Sequence, residues 1–210
     1  MIASPAPRRL RALFFAATLA SLLAAGGAAQ PARAFDARQT LARGACAVSV
    51  EGGYGEQFDL WNPTIVTGFE FLNAGVRLGF FPWDTMGSGV LAGAVEIGLE
   101  PFYQRFVDPV GAFFAGLVTV ARYHFTTLGR VVPYADIAAG AGGTDLGVWE
   151  QDTDFEFLLF AGAGASYFIT ERTALYAGYR LQHISNAGTA SPNRGINSHT
   201  AVLGVSVFFR

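Results

Sequence analysis

Apolar and polar residues alternate along eight segments of the chain, roughly 45–54, 67–82, 89–101, 111–125, 131–142, 154–169, 172–185 and 196–209. A side-chain period of two marks a strand whose two faces meet different surroundings. The last segment shows this cleanly: Ala201, Leu203, Val205, Val207 and Phe209 share one face, and Val202, Gly204, Ser206 and Phe208 the other. Segment 67–82 weakens near Asn73 but is taken as one strand, because a bacterial barrel has an even number of strands. The connections alternate as well. Segments 55–66, 102–110, 143–153 and 186–195 are longer and polar, whereas 83–88, 126–130 and 170–171 are shorter. An up-and-down barrel with both termini in the periplasm predicts this, with long loops outside and short turns inside.

Composition turns a β pattern into a membrane pattern. Of the 210 residues 51% are hydrophobic and 14% charged, with 26 glycines and 19 phenylalanines. Yet beyond residue 34 no apolar run reaches the 18 or so residues of a membrane helix. In hydrocarbon every backbone polar group must be paired within the protein, so strands must close on themselves. The predicted fold is therefore all-β, an eight-stranded antiparallel transmembrane barrel. A soluble lipocalin-like barrel or a β-sandwich would share the alternation. The stretch Leu159–Ser166 and its neighbours carry too few charges on either face for that reading.

The N-terminus adds export. Arg8, Arg9 and Arg11 precede the apolar run Ala12–Ala25, and Ala32-Arg33-Ala34 forms an A-x-A cleavage pattern. This is the three-part plan of a secretory signal peptide, with cleavage after Ala34 or, alternatively, Ala29. Residues 1–34 are assigned to the signal and 35–210 to one barrel domain. Without the four leader arginines, ten basic and sixteen acidic residues remain, a net charge of −6. Such a balance argues against nucleic acid as a partner. Cys46 is the sole cysteine, so no intrachain disulfide forms, and it reads as an ordinary strand residue. No cluster has metal-ligand spacing, and no cofactor is implied.

Candidate chemistry lies in the last two strands. Leu175, Ala177, Tyr179, Leu181, His183 and Ser185 share one face, opposite Arg180 and Gln182. The polar pair suits a lumen, which puts His183 and Ser185 on the outward, apolar face just before the last long loop. An imidazole and a hydroxyl facing lipid have no water to satisfy them, so they are functional candidates. A histidine beside a serine can take its proton and activate it as a nucleophile. Asn197 has the parity of Ala201, Leu203 and Val205, so it too faces outward and meets them at the same end. Asn193 and Gly195 read as turn formers. Arg194 and Arg105 are loop charges that could meet phosphates.

The block His183-x-Ser185-Asn186, followed by Pro192-Asn193-x-Gly195-x-x-Ser198, resembles the active-site block of the PagL lipid A deacylases. The likeness is strongest over residues 176–209 and rests mainly on strand pattern elsewhere. It implies a Ser–His–Glu triad on the outside of an eight-stranded barrel, with Ser185 as nucleophile and His183 as general base. Asn186 would serve the oxyanion hole through its side chain or nearby backbone N–H groups, and the loop with Gly188 and Gly195 would shape the site. The family's glutamate position falls on Asn197. An amide oxygen can orient the imidazole but stabilises imidazolium less than a carboxylate does. His199 shares the face, as a further hydrogen-bonding group or a belt aromatic.

The implied activity is hydrolysis of an ester-linked acyl chain, at the 3-position by resemblance, from lipid A of lipopolysaccharide in the outer membrane. A homo-oligomer is compatible with this reading. The alternative is a catalytically degenerate barrel that binds lipid or supports the membrane. A small porin fits less well, because eight strands leave an interior that side chains fill.

Overall fold

The structure, a computed structural model, describes residues 35–58 and 67–210. The proposed signal peptide lies outside them. A short helix, α1 (Ala37–Thr40), is followed by β1 (Cys46–Gln57), β2 (Glu70–Phe80), β3 (Gly93–Asp108), β4 (Ala112–Phe125) and β5 (Val131–Thr144). A small hairpin, β6 (Gly147–Val148) and β7 (Gln151–Asp152), precedes β8 (Phe155–Phe168), β9 (Thr173–Ser185) and β10 (Ile196–Phe209). The eight long strands close in the order β1-β10-β9-β8-β5-β4-β3-β2, every pair antiparallel. Each has 11 to 16 residues, enough for a tilted strand to span a bilayer.

Side-chain parity separates wall from lumen as the alternation predicts. Outward residues such as Val50, Leu78, Leu99, Ile137, Leu159, Leu203 and Val205 are exposed. They form an apolar belt that water would not tolerate and lipid does. Inward, the barrel is solid, in three levels. At the end carrying α1 and the last residues of β10, Leu41 and Ala37 pack with Phe81, Phe168 and Phe208. At the loop end Phe69, Phe71, Phe106, Phe114, Leu158, Ile184 and Ile196 form an apolar cork. Between them lies an ionic layer. Arg77 bonds Glu96 and Glu100, both at 3.1 Å, Arg122 bonds Asp136 at 2.7 Å, and Arg180 bonds Glu51 through both its terminal nitrogens. The Arg122 guanidinium also lies 3.9 Å over the Tyr134 ring. Side chains thus meet across the lumen, as in the 2.8 Å bond from Gln182 Nε2 on β9 to Gln104 Oε1 on β3.

Three boundaries differ from the sequence expectation. Segment 102–110, read as a loop, is mostly strand: β3 runs to Asp108 and the connection is only 109–111. Pro101 and the polar run Gln104-x-x-x-Asp108 hid it. Pro101 has no N–H, and the β2–β3 ladder indeed skips between Gly75/Phe102 and Leu78/Leu99, while Pro101 still pairs with Leu117 on β4. Arg105 accordingly sits on β3 rather than in a loop. At the opposite end, residues 81–92 are a longer connection than expected, with a 3-10 turn at Gly89–Leu91 where strand was predicted. Lastly, the loop between β5 and β8 carries the β6–β7 hairpin. Asn73 does not break β2, which is continuous.

Candidate active site

The site forms where β9 and β10 part. Their register pairs His183 with Asn197 and ends at Ile184 with Ile196. Ser185 keeps a partner only on the other side, Phe157 of β8. His183, Ser185 and Asn197 all lie on the outward face, each half-buried, while Ile184, Ile196 and Ser198 point into the lumen. The parity argument therefore put these three side chains on the correct wall.

Direct pairing brings two of them into contact. His183 Nδ1 and Asn197 Oδ1 are 2.8 Å apart. Because an amide oxygen only accepts, Nδ1 carries the proton and Nε2 is left as the basic nitrogen. Among the described residues the Ser185 hydroxyl has no hydrogen-bond partner. It stands two residues from His183 on one strand face, about 7 Å along the strand. Catalytic hydrogen bonds are often open until substrate binds.

Gly195 makes the imidazole's place possible. It has φ +73°, and a Cβ there would overlap His183 Cε1 and stand 3.1 Å from Nε2. The ring thus lies against bare backbone. Gly188 also has a left-handed φ, +79°, as turn chemistry predicts. Asn193 does not; its side chain acts instead, Oδ1 accepting the Asn186 N–H at 3.3 Å. Ala187 is the residue that takes the unexpected conformation, at φ 54°, directly after Asn186.

Asn186 is fully buried and ties the loop together. Its Oδ1 accepts the Gly188 N–H at 3.0 Å, and its Nδ2 donates to the Pro192 carbonyl at 3.1 Å. Its own carbonyl accepts from the Thr189 N–H and hydroxyl. The side chain is thus committed to the loop. Of the three amides following Ser185, those of residues 186 and 188 are occupied, and the Ala187 N–H has no protein acceptor among the described residues. His199 stacks on Tyr179 (centroids 5.8 Å, 24°) and lies 6.0 Å from Phe58, so it belongs to the aromatic wall. Arg194 lies 4.6 Å over the Trp149 ring. Sequence reasoning missed Gln151, which is fully buried behind the site. A glutamine in a polar loop carries no signal that it will be buried.

A closed barrel with an apolar outer belt, and with a histidine–amide pair and a hydroxyl on that outer wall, defines a membrane-spanning β-barrel with polar groups turned toward the bilayer. The family model for lipid A 3-O-deacylase (PagL) matches residues 65–206, more than half of the chain. The chain belongs to that family of outer-membrane lipid A deacylases. Its fold is similar to the crystal structure of the outer membrane enzyme PagL, at 20% identity and a TM-score of 0.57, covering 75% of this chain and 97% of that one. It is also similar to Neisserial surface protein A, at 19% identity and a TM-score of 0.53, covering 79% and 99%. At such identities these two likenesses establish the architecture alone. No curated protein sequence matches the chain.

Proposed function

We propose that this protein removes the 3-O-linked acyl chain of lipid A by ester hydrolysis with Ser185 as nucleophile. The observation that carries the reading is the 2.8 Å contact of His183 Nδ1 with Asn197 Oδ1, on the same outward face as Ser185. Substrate reaches the wall by lateral diffusion in the membrane, its acyl chains lying along apolar strand faces. Nε2 of His183 takes the proton of the Ser185 hydroxyl as Oγ adds to the ester carbonyl. The Ala187 N–H is the candidate donor to the oxyanion, where water is scarce and one donor has a large effect. The imidazolium then returns the proton to the departing sugar oxygen. Water, activated by the same nitrogen, cleaves the acyl-enzyme and restores Ser185. No cofactor takes part in this scheme, and lipid A of lipopolysaccharide is the partner.

The test is mass spectrometry of lipid A from cells expressing the protein, beside a Ser185→Ala control. Loss of one hydroxyacyl mass with the wild type alone supports deacylation and the nucleophile together. Loss with both sinks Ser185 as nucleophile, and loss with neither, in cells where the barrel is folded, sinks the activity. One observation favours a second reading, a barrel that holds lipid without cleaving it: Asn197 stands where the family carries a glutamate, and a neutral amide stabilises imidazolium poorly.

A further inference from the structure

The loop that carries the site is tied internally by Asn186 and is also held from outside. Gln151, on the β6–β7 hairpin, is 0% exposed and reaches behind β9. Its Nε2 donates to the Ile184 carbonyl and to Asn193 Oδ1, each at 3.3 Å. Ile184 is the residue between His183 and Ser185, and Asn193 Oδ1 is the acceptor of the Asn186 N–H. One buried amide therefore bridges the end of β9 and the returning limb of the loop. The backbones join at the same place: Gln151 and Asn193 form an isolated antiparallel bridge, and the Arg194 N–H donates to the Glu150 carbonyl at 2.9 Å. The hairpin is anchored in turn. The Glu150 carboxylate accepts the Thr67 N–H at 2.8 Å, and the Trp149 indole N–H donates to Thr67 Oγ1 at 3.1 Å.

The chemistry at Gln151 argues for more than packing. Both neighbours of its amide are acceptors, so the nitrogen must face them and the oxygen must face away. That oxygen, Oε1, is buried with no hydrogen-bond partner among the described residues. An orphaned buried acceptor destabilises a fold, and an apolar side chain of similar shape would avoid it. A glutamine here is poor for stability and specific for geometry.

We propose that Gln151 is a positioning residue for the deacylase site, holding the Ile184–Asn186 backbone so that Ser185 Oγ and the Ala187 N–H face His183. This rests on the reading of Ser185 as nucleophile. The hairpin thereby acts as a brace on the one long-strand junction where β9 has lost its β10 partner.

The experiment uses the full barrel in detergent micelles, with wild type, Gln151→Met and, as a second apolar variant, Gln151→Leu. Three quantities are read: the rate of covalent labelling of Ser185 by a fluorophosphonate probe, kcat and KM on purified lipid A, and the thermal midpoint of barrel unfolding. The expected result is a loss of labelling rate and of kcat by about ten- to a hundredfold with KM little changed, as for a small misplacement of reacting groups. The thermal midpoint changes little, since the orphaned oxygen and the two long hydrogen bonds of the amide are lost together. A merely structural role would lower the midpoint and leave the rate of the folded fraction unchanged, which overturns the proposal. Wild-type rates in either folded variant overturn it too. If the wild type deacylates lipid A but is not labelled at Ser185, the nucleophile assignment fails first and the proposal falls with it.

Discussion

Gly195 lies against the Cε1 edge of the His183 imidazole, so close that a methyl group on Gly195 would overlap Cε1 and crowd Nε2 at 3.1 Å. The same residue holds a left-handed φ of +73°. Two demands thus fall on one position, and glycine meets both.

Gly195→Ala should therefore displace the ring while leaving the barrel closed. The backbone strain alone is about 1–2 kcal/mol, and a shifted base should lower turnover on lipid A about a hundredfold. Steady-state hydrolysis by purified protein, with heat-dependent gel mobility as the check on folding, reads both effects. Normal turnover would show that the contact has no part in the chemistry.

Asn197→Glu should raise activity. An amide can turn either end toward the imidazole, and its NH2 end would leave the proton on Nε2, where the base is needed. A carboxylate presents only acceptors and stabilises the imidazolium besides. In a serine protease triad the reverse exchange costs ~10⁴ in turnover, so a gain of at least about tenfold is expected here, with Asn197→Leu falling below the wild type. The comparison of kcat among the three proteins decides it. A glutamate variant no faster than wild type would mean that Asn197 is already a full substitute.

Arg180→Met should destabilise the barrel and spare the site. Arg180 Nη2 bonds Glu51 at 2.9 Å inside the lumen and reaches Asp136 at 3.4 Å. Removing it leaves buried carboxylates short of their partner, a loss of about 3–5 kcal/mol for a buried pair broken on one side. Urea unfolding of the folded barrel measures this. Turnover per folded molecule should not change, because the ionic layer and the outer wall are separated by the strands themselves.

Ile137→Arg and Leu128→Arg form a paired test of how the barrel sits in lipid. The two residues are almost equally exposed, at 63% and 62%, but Ile137 is midway along β5 and Leu128 is in the turn before it. An arginine at the middle of the wall should lower folding stability in bilayers by about 2–4 kcal/mol, and one near the interface by about 0–1 kcal/mol. Equal effects in lipid vesicles would mean that the apolar belt does not face hydrocarbon.

Much of this was legible in the residues. Period-two alternation gave the number of long strands and which side chains face outward. His183, Ser185 and Asn197 were placed on the lipid-facing wall by parity alone. Where the expectation failed, a local signal was misleading: Gln104, Arg105 and Asp108 made 102–110 read as a polar loop, yet β3 runs to Asp108 and keeps its pairing to β4 as far as Phe106.

What the sequence by itself determined is therefore whatever can be read from residues near one another in the chain: the strand period, the two faces, and the motif that resembles the family's. What only the tertiary structure decided is whatever depends on residues far apart in the chain. The commitment of the Asn186 side chain to its own loop, the fit of Gly195 against the imidazole and the brace from Gln151, 33 residues from Ile184, appear only once the barrel has closed. The reason is physical: periodicity reports the average surroundings of a face, while a hydrogen bond needs two particular atoms about 3 Å apart, and strand register and loop closure set that distance.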